Sequence, residues 1–126
     1  MQGRFEKRGD VGIIWINSPP VNAISVGVRT AIIDGVTKLA QDPEIKIGVL
    51  ACEGRTFMAG ADITEFGKPP LSPSLHDAIK AVENSAKPIV AAIHGTAFGG
   101  GLEVALACHY RAAIASAKIE IGRAHV

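Results

Sequence analysis

Ile89-Val90-Ala91-Ala92-Ile93-His94-Gly95-Thr96-Ala97-Phe98-Gly99-Gly100-Gly101-Leu102-Glu103 is the stretch that decides how this chain folds. Lys87-Pro88 breaks whatever helix precedes it, so the apolar run 89–93 reads as a short buried strand. Three successive glycines then turn the backbone, and residues 102–109 have the look of a helix. A strand that feeds a glycine turn and then a helix is one unit of an α/β domain.

The same unit recurs toward the amino terminus. Ile47-Gly48-Val49-Leu50-Ala51-Cys52 reads as a strand, and the loop 53–60 ends at Gly60 before Ala61-Asp62-Ile63-Thr64-Glu65-Phe66, which is expected to open a second helix. Lys68-Pro69-Pro70-Leu71-Ser72-Pro73 can be neither helix nor central strand. Beyond it an amphipathic helix is expected over 74–85 through Leu75, Ile79 and Val82. Earlier still, Val11-Gly12-Ile13-Ile14-Trp15-Ile16 is a strand closed by Asn17-Ser18-Pro19-Pro20. A helix capped by Ser25 then carries Val28, Ile32, Val36 and Leu39 on one face until Asp42-Pro43 stops it. A last strand is expected over 111–115. Trp15 and Phe98 read as core residues, His94 as a turn residue under the glycine loop, and His109 as the end of the last helix.

Composition narrows the function. The 126 residues are 48% hydrophobic, with 13 Lys+Arg against 12 Asp+Glu. That balance lacks the clustered cations a nucleic-acid grip needs, and the apolar share is too high for a disordered chain. No apolar run approaches the roughly 20 residues that span a bilayer. Residues 1–8 mix both charges without an apolar core, which points to a cytoplasmic protein. Cys52 and Cys108 form no CxxC pair, and His76, His94 and His109 are not spaced as metal ligands. Both thiols are expected to be small buried hydrophobes.

Chemistry is expected where the two glycine-bearing turns start their helices. Each turn presents unpaired N–H groups at a positive helix end, and two such ends together would make an oxyanion hole. Glycine leaves room for a carbonyl to reach the amide. An isolated glycine triplet is also a plain tight turn; the pairing of two turns, followed by an acid, separates the readings. That acid is Glu103, in the first turn after Gly101, where a carboxylate could move a proton at a carbon beside a polarised carbonyl. Its alternative role is to complement the helix dipole, the reading that also suits Asp62 and Glu65. GxGxxG, P-loop, GxSxG and HExxH patterns are all missing.

Pro20-Val21-Asn22-Ala23-Ile24-Ser25, Phe57-Met58-Ala59-Gly60-Ala61-Asp62-Ile63 and the stretch from Ile93 to Glu103 resemble, in order and spacing, the enoyl-CoA hydratase/isomerase (crotonase) superfamily. The wording is most similar to the amino-terminal hydratase part of multifunctional fatty-acid β-oxidation proteins. The resemblance implies an α/β fold, a ββα spiral incomplete at its carboxy end. It implies an acyl-CoA substrate, with the thioester enolate held by the backbone N–H groups of Ala61 and Gly100, and Glu103 as the first of two catalytic glutamates. Coenzyme A would lie along Asn22, Ala23, Ile24, Ala59, Gly60, Ala61, Asp62, Ile63, Thr64, Gly99 and Gly100. No metal or bound cofactor is implied, and NAD only where a fused dehydrogenase lies downstream. Stand-alone members are usually trimers, so the parent is expected to be a homo-oligomer or part of a multifunctional complex.

The second glutamate breaks the pattern. In relatives a Pro-Glu pair would fall where Gly122 and Arg123 stand, and Glu120 does not take its place. The ending from Glu120 to Val126 reads like translated sequencing adapter. Residues 1–119 are therefore expected to be the amino-terminal part of the domain and 120–126 a non-native tail. The activity implied is hydration of trans-2-enoyl-CoA, with the fragment inactive alone. The alternatives are a delta-isomerase of the same family and a non-catalytic acyl-CoA-binding remnant.

Overall fold

In the computed structural model, residues 2–121 are described. The elements in chain order are β1 (Gly3–Arg8), β2 (Val11–Ile16), α1 (Val26–Gln41), β3 (Ile47–Cys52), β4 (Met58–Ala59), a single 3-10 turn (Ile63–Glu65), α2 (Leu75–Glu83), β5 (Ile89–Ile93), β6 (Ala97–Phe98), α3 (Gly100–Ala107), β7 (Tyr110–Ala113) and β8 (Ile119–Glu120). The long strands form one sheet in the order β1-β2-β3-β5-β7, and the short ones a second sheet, β4-β6-β8. Apart from the β1–β2 hairpin, all pairings are parallel. A long strand, a short strand and a helix thus repeat as the chain winds, which is the expected ββα pattern.

Ser25 starts α1 as expected, its hydroxyl accepting the Val28 N–H at 3.2 Å. Val28, Ile32, Val36 and Leu39 are buried from that helix against Ile14, Ile16 and Leu50. Each such side chain contributes roughly 1.5–3 kcal/mol when removed from water. The end of α1 is held from outside: the Lys87 ammonium donates to the Leu39 carbonyl at 2.6 Å and to that of Asp42. α1 contacts α2, and α2 contacts α3, so the helices line up beside the sheets.

Residues 3–8 carry no strand signal in the sequence, yet they form the edge strand β1. Four of its six residues, Arg4, Glu6, Lys7 and Arg8, are charged, which suits an edge facing water. Arg4 lies directly opposite Trp15, stacks over its ring at 5.0 Å, and Glu6 accepts the indole N–H at 2.9 Å. Trp15 is therefore a half-buried residue covered by the edge strand, not a core residue.

α2 opens on a reciprocal cap that the sequence reading does not name: Asp77 N–H donates to the Ser74 hydroxyl at 3.0 Å, and Ser74 N–H donates to the Asp77 carboxylate at 2.9 Å. The Ser74 backbone N–H, and after it the Ser74 side chain, hold the Asp77 carboxyl below its ordinary range. A depressed folded value means the contribution is complete above the unfolded carboxylate value of about 3.9 and is lost as pH falls through the folded one. Asp77→Asn keeps an acceptor but no titration, so its urea stability is expected to fall less steeply than wild type below about pH 5. Parallel acid profiles would show that this cap takes no part in acid unfolding.

α3 begins two residues earlier than expected, inside the glycine triplet, and ends two residues earlier, at Ala107, with Cys108 as its C-cap. The reason for the early end is His109: its N–H donates to the Ile89 carbonyl at 2.9 Å and its Nδ1 accepts the Ile89 N–H at 3.0 Å, which pulls the chain into β7. β7 accordingly runs Tyr110–Ala113 at the sheet edge, with all four residues exposed. Cys52 and Cys108 are free and buried as expected. Burial pushes both thiols up, that of Cys108 to about 12.

Candidate active site

The site is built from the ends of two adjacent short strands. β4 and β6 pair in register, Met58 with Ala97 and Ala59 with Phe98, so the next residues, Gly60 and Gly99, come side by side. A Cβ on Gly99 would lie 3.8 Å from the Gly60 Cα. Both glycines have positive φ, +87° and +55°, a region in which side chains other than glycine are strained. Immediately after them stand Ala61 and Gly100. Among the described residues neither of these two N–H groups has a protein acceptor. Two free backbone donors on neighbouring turns are what an oxyanion hole requires.

The two turns lead into different elements. The Gly99 turn opens α3, but the Gly60 turn does not open an α-helix: residues 63–65 make one 3-10 turn, which Gly67 at φ +76° and the prolines behind it end. The positive helix end expected beside Ala61 is correspondingly short, which leaves the Ala61 N–H itself as the group this turn presents. Asp62 caps that turn, accepting from the Thr64 hydroxyl at 2.7 Å and N–H at 3.0 Å. These bonds, the hydroxyl first, hold its carboxyl below the usual range.

Glu103 sits in the first turn of α3, its N–H donating to the Gly99 carbonyl at 3.1 Å. The carboxylate is exposed, and among the described residues it makes no hydrogen bond or ion pair. Gly101, two residues before it, brings α3 against β4, because a Cβ there would lie 2.0 Å from the Met58 carbonyl oxygen. The Gly99 N–H is held by the Glu120 carbonyl at 3.0 Å, so β8 steadies the turn through its backbone. Gly122 and Arg123, where the Pro-Glu pair of relatives is expected, lie outside the described residues.

The residues expected along coenzyme A divide by exposure. Ala61, Ile63 and Thr64 are exposed, Asp62, Ala23, Ala59, Gly99 and Gly100 are half-buried, and Asn22, Ile24 and Gly60 are buried. Asn22, at φ +54°, is committed to its loop: its side-chain oxygen accepts the Ser18 N–H at 2.7 Å, and its amide donates to the Glu53 and Thr56 carbonyls at 2.9 and 2.8 Å. Ile24 N–H donates to the Gly60 carbonyl at 2.9 Å. His94 does not pack under the glycine loop; its Nε2 bonds the Gly54 carbonyl at 2.6 Å and pins the loop after β3. Phe98 is half-buried beside Gly60, not a core residue.

Glu65 is more than a dipole residue of its own turn. It accepts the Val26 N–H at the start of α1 at 2.9 Å and pairs with Arg29 at 3.0 Å. Arg29 has no place in the sequence-based site, although one feature sets it apart: it is a charged residue on the apolar face of α1, beside Val28 and before Ile32. A groove of about 510 Å³ between β1 and α1, bordered by Phe5, Val26, Gly27 and Ala31, contains none of the expected site residues.

Comparison with known proteins adds to this geometry. The enoyl-CoA hydratase/isomerase family model matches residues 6–125. The chain is 44% identical over 109 residues to a peroxisomal bifunctional enzyme from Danio rerio, covering 86% of this chain and 15% of that one. It is 37% identical over 116 residues to a probable enoyl-CoA hydratase from Bacillus subtilis, covering 86% and 45%. A crystal structure of an enoyl-CoA hydratase from Mycobacterium avium superposes with TM-score 0.82 at 28% identity over 95% of this chain and 50% of the other. The chain thus spans about half the length of these hydratases. No helix among the described residues is long and apolar enough to cross a membrane.

Proposed function

Because the chain belongs to the enoyl-CoA hydratase/isomerase family, we propose that it carries the thioester-polarising half of a site that hydrates trans-2-enoyl-CoA in fatty-acid β-oxidation. The observation that carries this reading is the pair of positive-φ turns at Gly60 and Gly99, which leave the Ala61 and Gly100 N–H groups without acceptors among the described residues. A thioester oxygen accepting both would draw electron density from the conjugated C2=C3 bond. Water then adds its oxygen to C3, the π pair moves through C2 to the thioester oxygen, and the two N–H groups hold the resulting enolate. Each such donor is worth about 3–4 kcal/mol of transition-state stabilisation in known cases. Glu103 is the group in this chain suited to take the proton from water, and delivery of a proton to C2 completes the 3-hydroxyacyl-CoA.

The bifunctional name of the Danio rerio protein describes a chain of which this sequence covers 15%. Any NAD-dependent step would belong to residues other than these. A cytoplasmic location gains no support from that relative's peroxisomal name. Crotonyl-CoA mixed with the purified chain is expected to show its conjugated-thioester absorbance moved to longer wavelength, as both donors polarise the carbonyl, without the loss of absorbance that hydration would bring. Binding seen by calorimetry without that shift would reduce the chain to an acyl-CoA-binding remnant, and no binding would sink the proposal.

A further inference from the structure

We propose that Arg29 and Glu65 are positioning residues that fix the orientation of the Gly60–Ala61 peptide, and through it the aim of the Ala61 N–H; this rests on the oxyanion reading given above. The Arg29 side chain is 7% exposed. Its three nitrogens go to three different segments: Nε donates to the Pro73 carbonyl at 2.6 Å, Nη1 to the Ile24 carbonyl at 2.9 Å, and Nη2 to Glu65 at 3.0 Å. The second Glu65 oxygen accepts the Val26 N–H, one of the orphan amides at the start of α1, at 2.9 Å.

The chain of bonds ends on the proposed donor. Arg29 holds the Ile24 carbonyl, and the Ile24 N–H holds the Gly60 carbonyl at 2.9 Å. The Gly60 carbonyl and the Ala61 N–H belong to one planar trans peptide, so fixing the first points the second the opposite way. Glu65, four residues further on, ties the other end of the same segment to the same guanidinium. A lysine would supply charge but not a rigid planar fork of donors. A buried ion pair of this kind adds little net stability over apolar packing of similar volume, which leaves geometry as its contribution.

The test uses the full chain with Arg29→Lys and Glu65→Gln. Val36→Ala serves as a control, since Val36 is buried further along α1 and away from the turn. In the free protein the ¹⁵N order parameter of Ala61 is expected to drop from the rigid range near 0.85 to below about 0.6 in Arg29→Lys, with Val36→Ala at the wild-type value. With cinnamoyl-CoA, Arg29→Lys is expected to retain binding within about threefold by calorimetry but to lose the red shift of the bound thioester. An unchanged Ala61 order parameter in Arg29→Lys, or an equal drop in Val36→Ala, overturns the proposal. Should Arg29→Lys fail to fold, Glu65→Gln, which keeps size and an acceptor for Val26, is read by the same criteria. A loosened Ala61 together with a wild-type chain that never red-shifts the thioester would uphold the positioning role and remove the oxyanion function.

Discussion

Gly101→Ala is expected to destabilise the fold by about 3 kcal/mol or more, at the upper end of overpacking substitutions. The new methyl carbon would lie 2.0 Å from the Met58 carbonyl oxygen and 2.7 Å from its carbon. That obstacle is backbone, not the movable end of a side chain. Met58 is fully buried and its strand is paired with β6, so β4 cannot retreat without opening the small sheet. For a chain of this size the loss corresponds to a melting temperature lower by about 10 °C or more. Gly54→Ala is the matched comparison: its φ is +82°, but nothing lies within 4 Å of the added Cβ. That variant carries only the backbone penalty of about 1 kcal/mol. Equal melting temperatures for the two variants would show that close approach of α3 to β4 is not what Gly101 provides. The approach matters because the same glycine seats the helix whose first N–H is that of Gly100.

In a protein that joins these residues to the remaining half of the family's domain, Glu103→Gln is expected to lower the rate of crotonyl-CoA hydration by about 10²–10⁴-fold, the usual range for a positioned acid or base. Glutamine keeps the size and hydrogen-bonding reach of the side chain but cannot take a proton. The proposed oxyanion donors, the Ala61 and Gly100 N–H groups, are backbone groups and are untouched by the change, so KM should stay near its wild-type value while kcat falls. Initial rates from the thioester absorbance at several substrate concentrations separate the two parameters. Equal kcat values would return Glu103 to the role of an exposed first-turn acid that complements the α3 dipole.

Much of this architecture is legible in the sequence because short-range chemistry specifies it. The span and cap of α1 are set by Ser25 and the spacing of Val28, Ile32, Val36 and Leu39, and β2, β3 and β5 match their apolar runs. Glycines at 60 and 99–101 mark both turns. Local pattern is silent on features that depend on distant partners. β1 is a strand because β2 offers it a ladder and Trp15 a ring to cover, while its own residues, four of six charged, carry no apolar signal. Glu65 looks like any first-turn acid until Arg29, 36 residues earlier, is brought to it. His109 ends α3 through Ile89, a residue 20 positions away. Asn22 is marked by its motif, but its burial under three loop hydrogen bonds is a tertiary fact. In each case the deciding contact is non-local.

The edge strand β7 carries one charged residue, Arg111, and that guanidinium is turned back onto α3. Nη1 donates to the Cys108 carbonyl at 2.9 Å and lies 3.4 Å from the carbonyls of Ala105 and Leu106. A basic side chain on an open strand ordinarily discourages neighbouring molecules from adding to the ladder. Here that charge is engaged in closing a helix, and Tyr110 and Ile114 beside it are 63% and 52% exposed. Among the described residues, the outer amides and carbonyls of β7 are thus left with apolar flanks and no gatekeeper. At high concentration, intermolecular strand addition should begin at this edge.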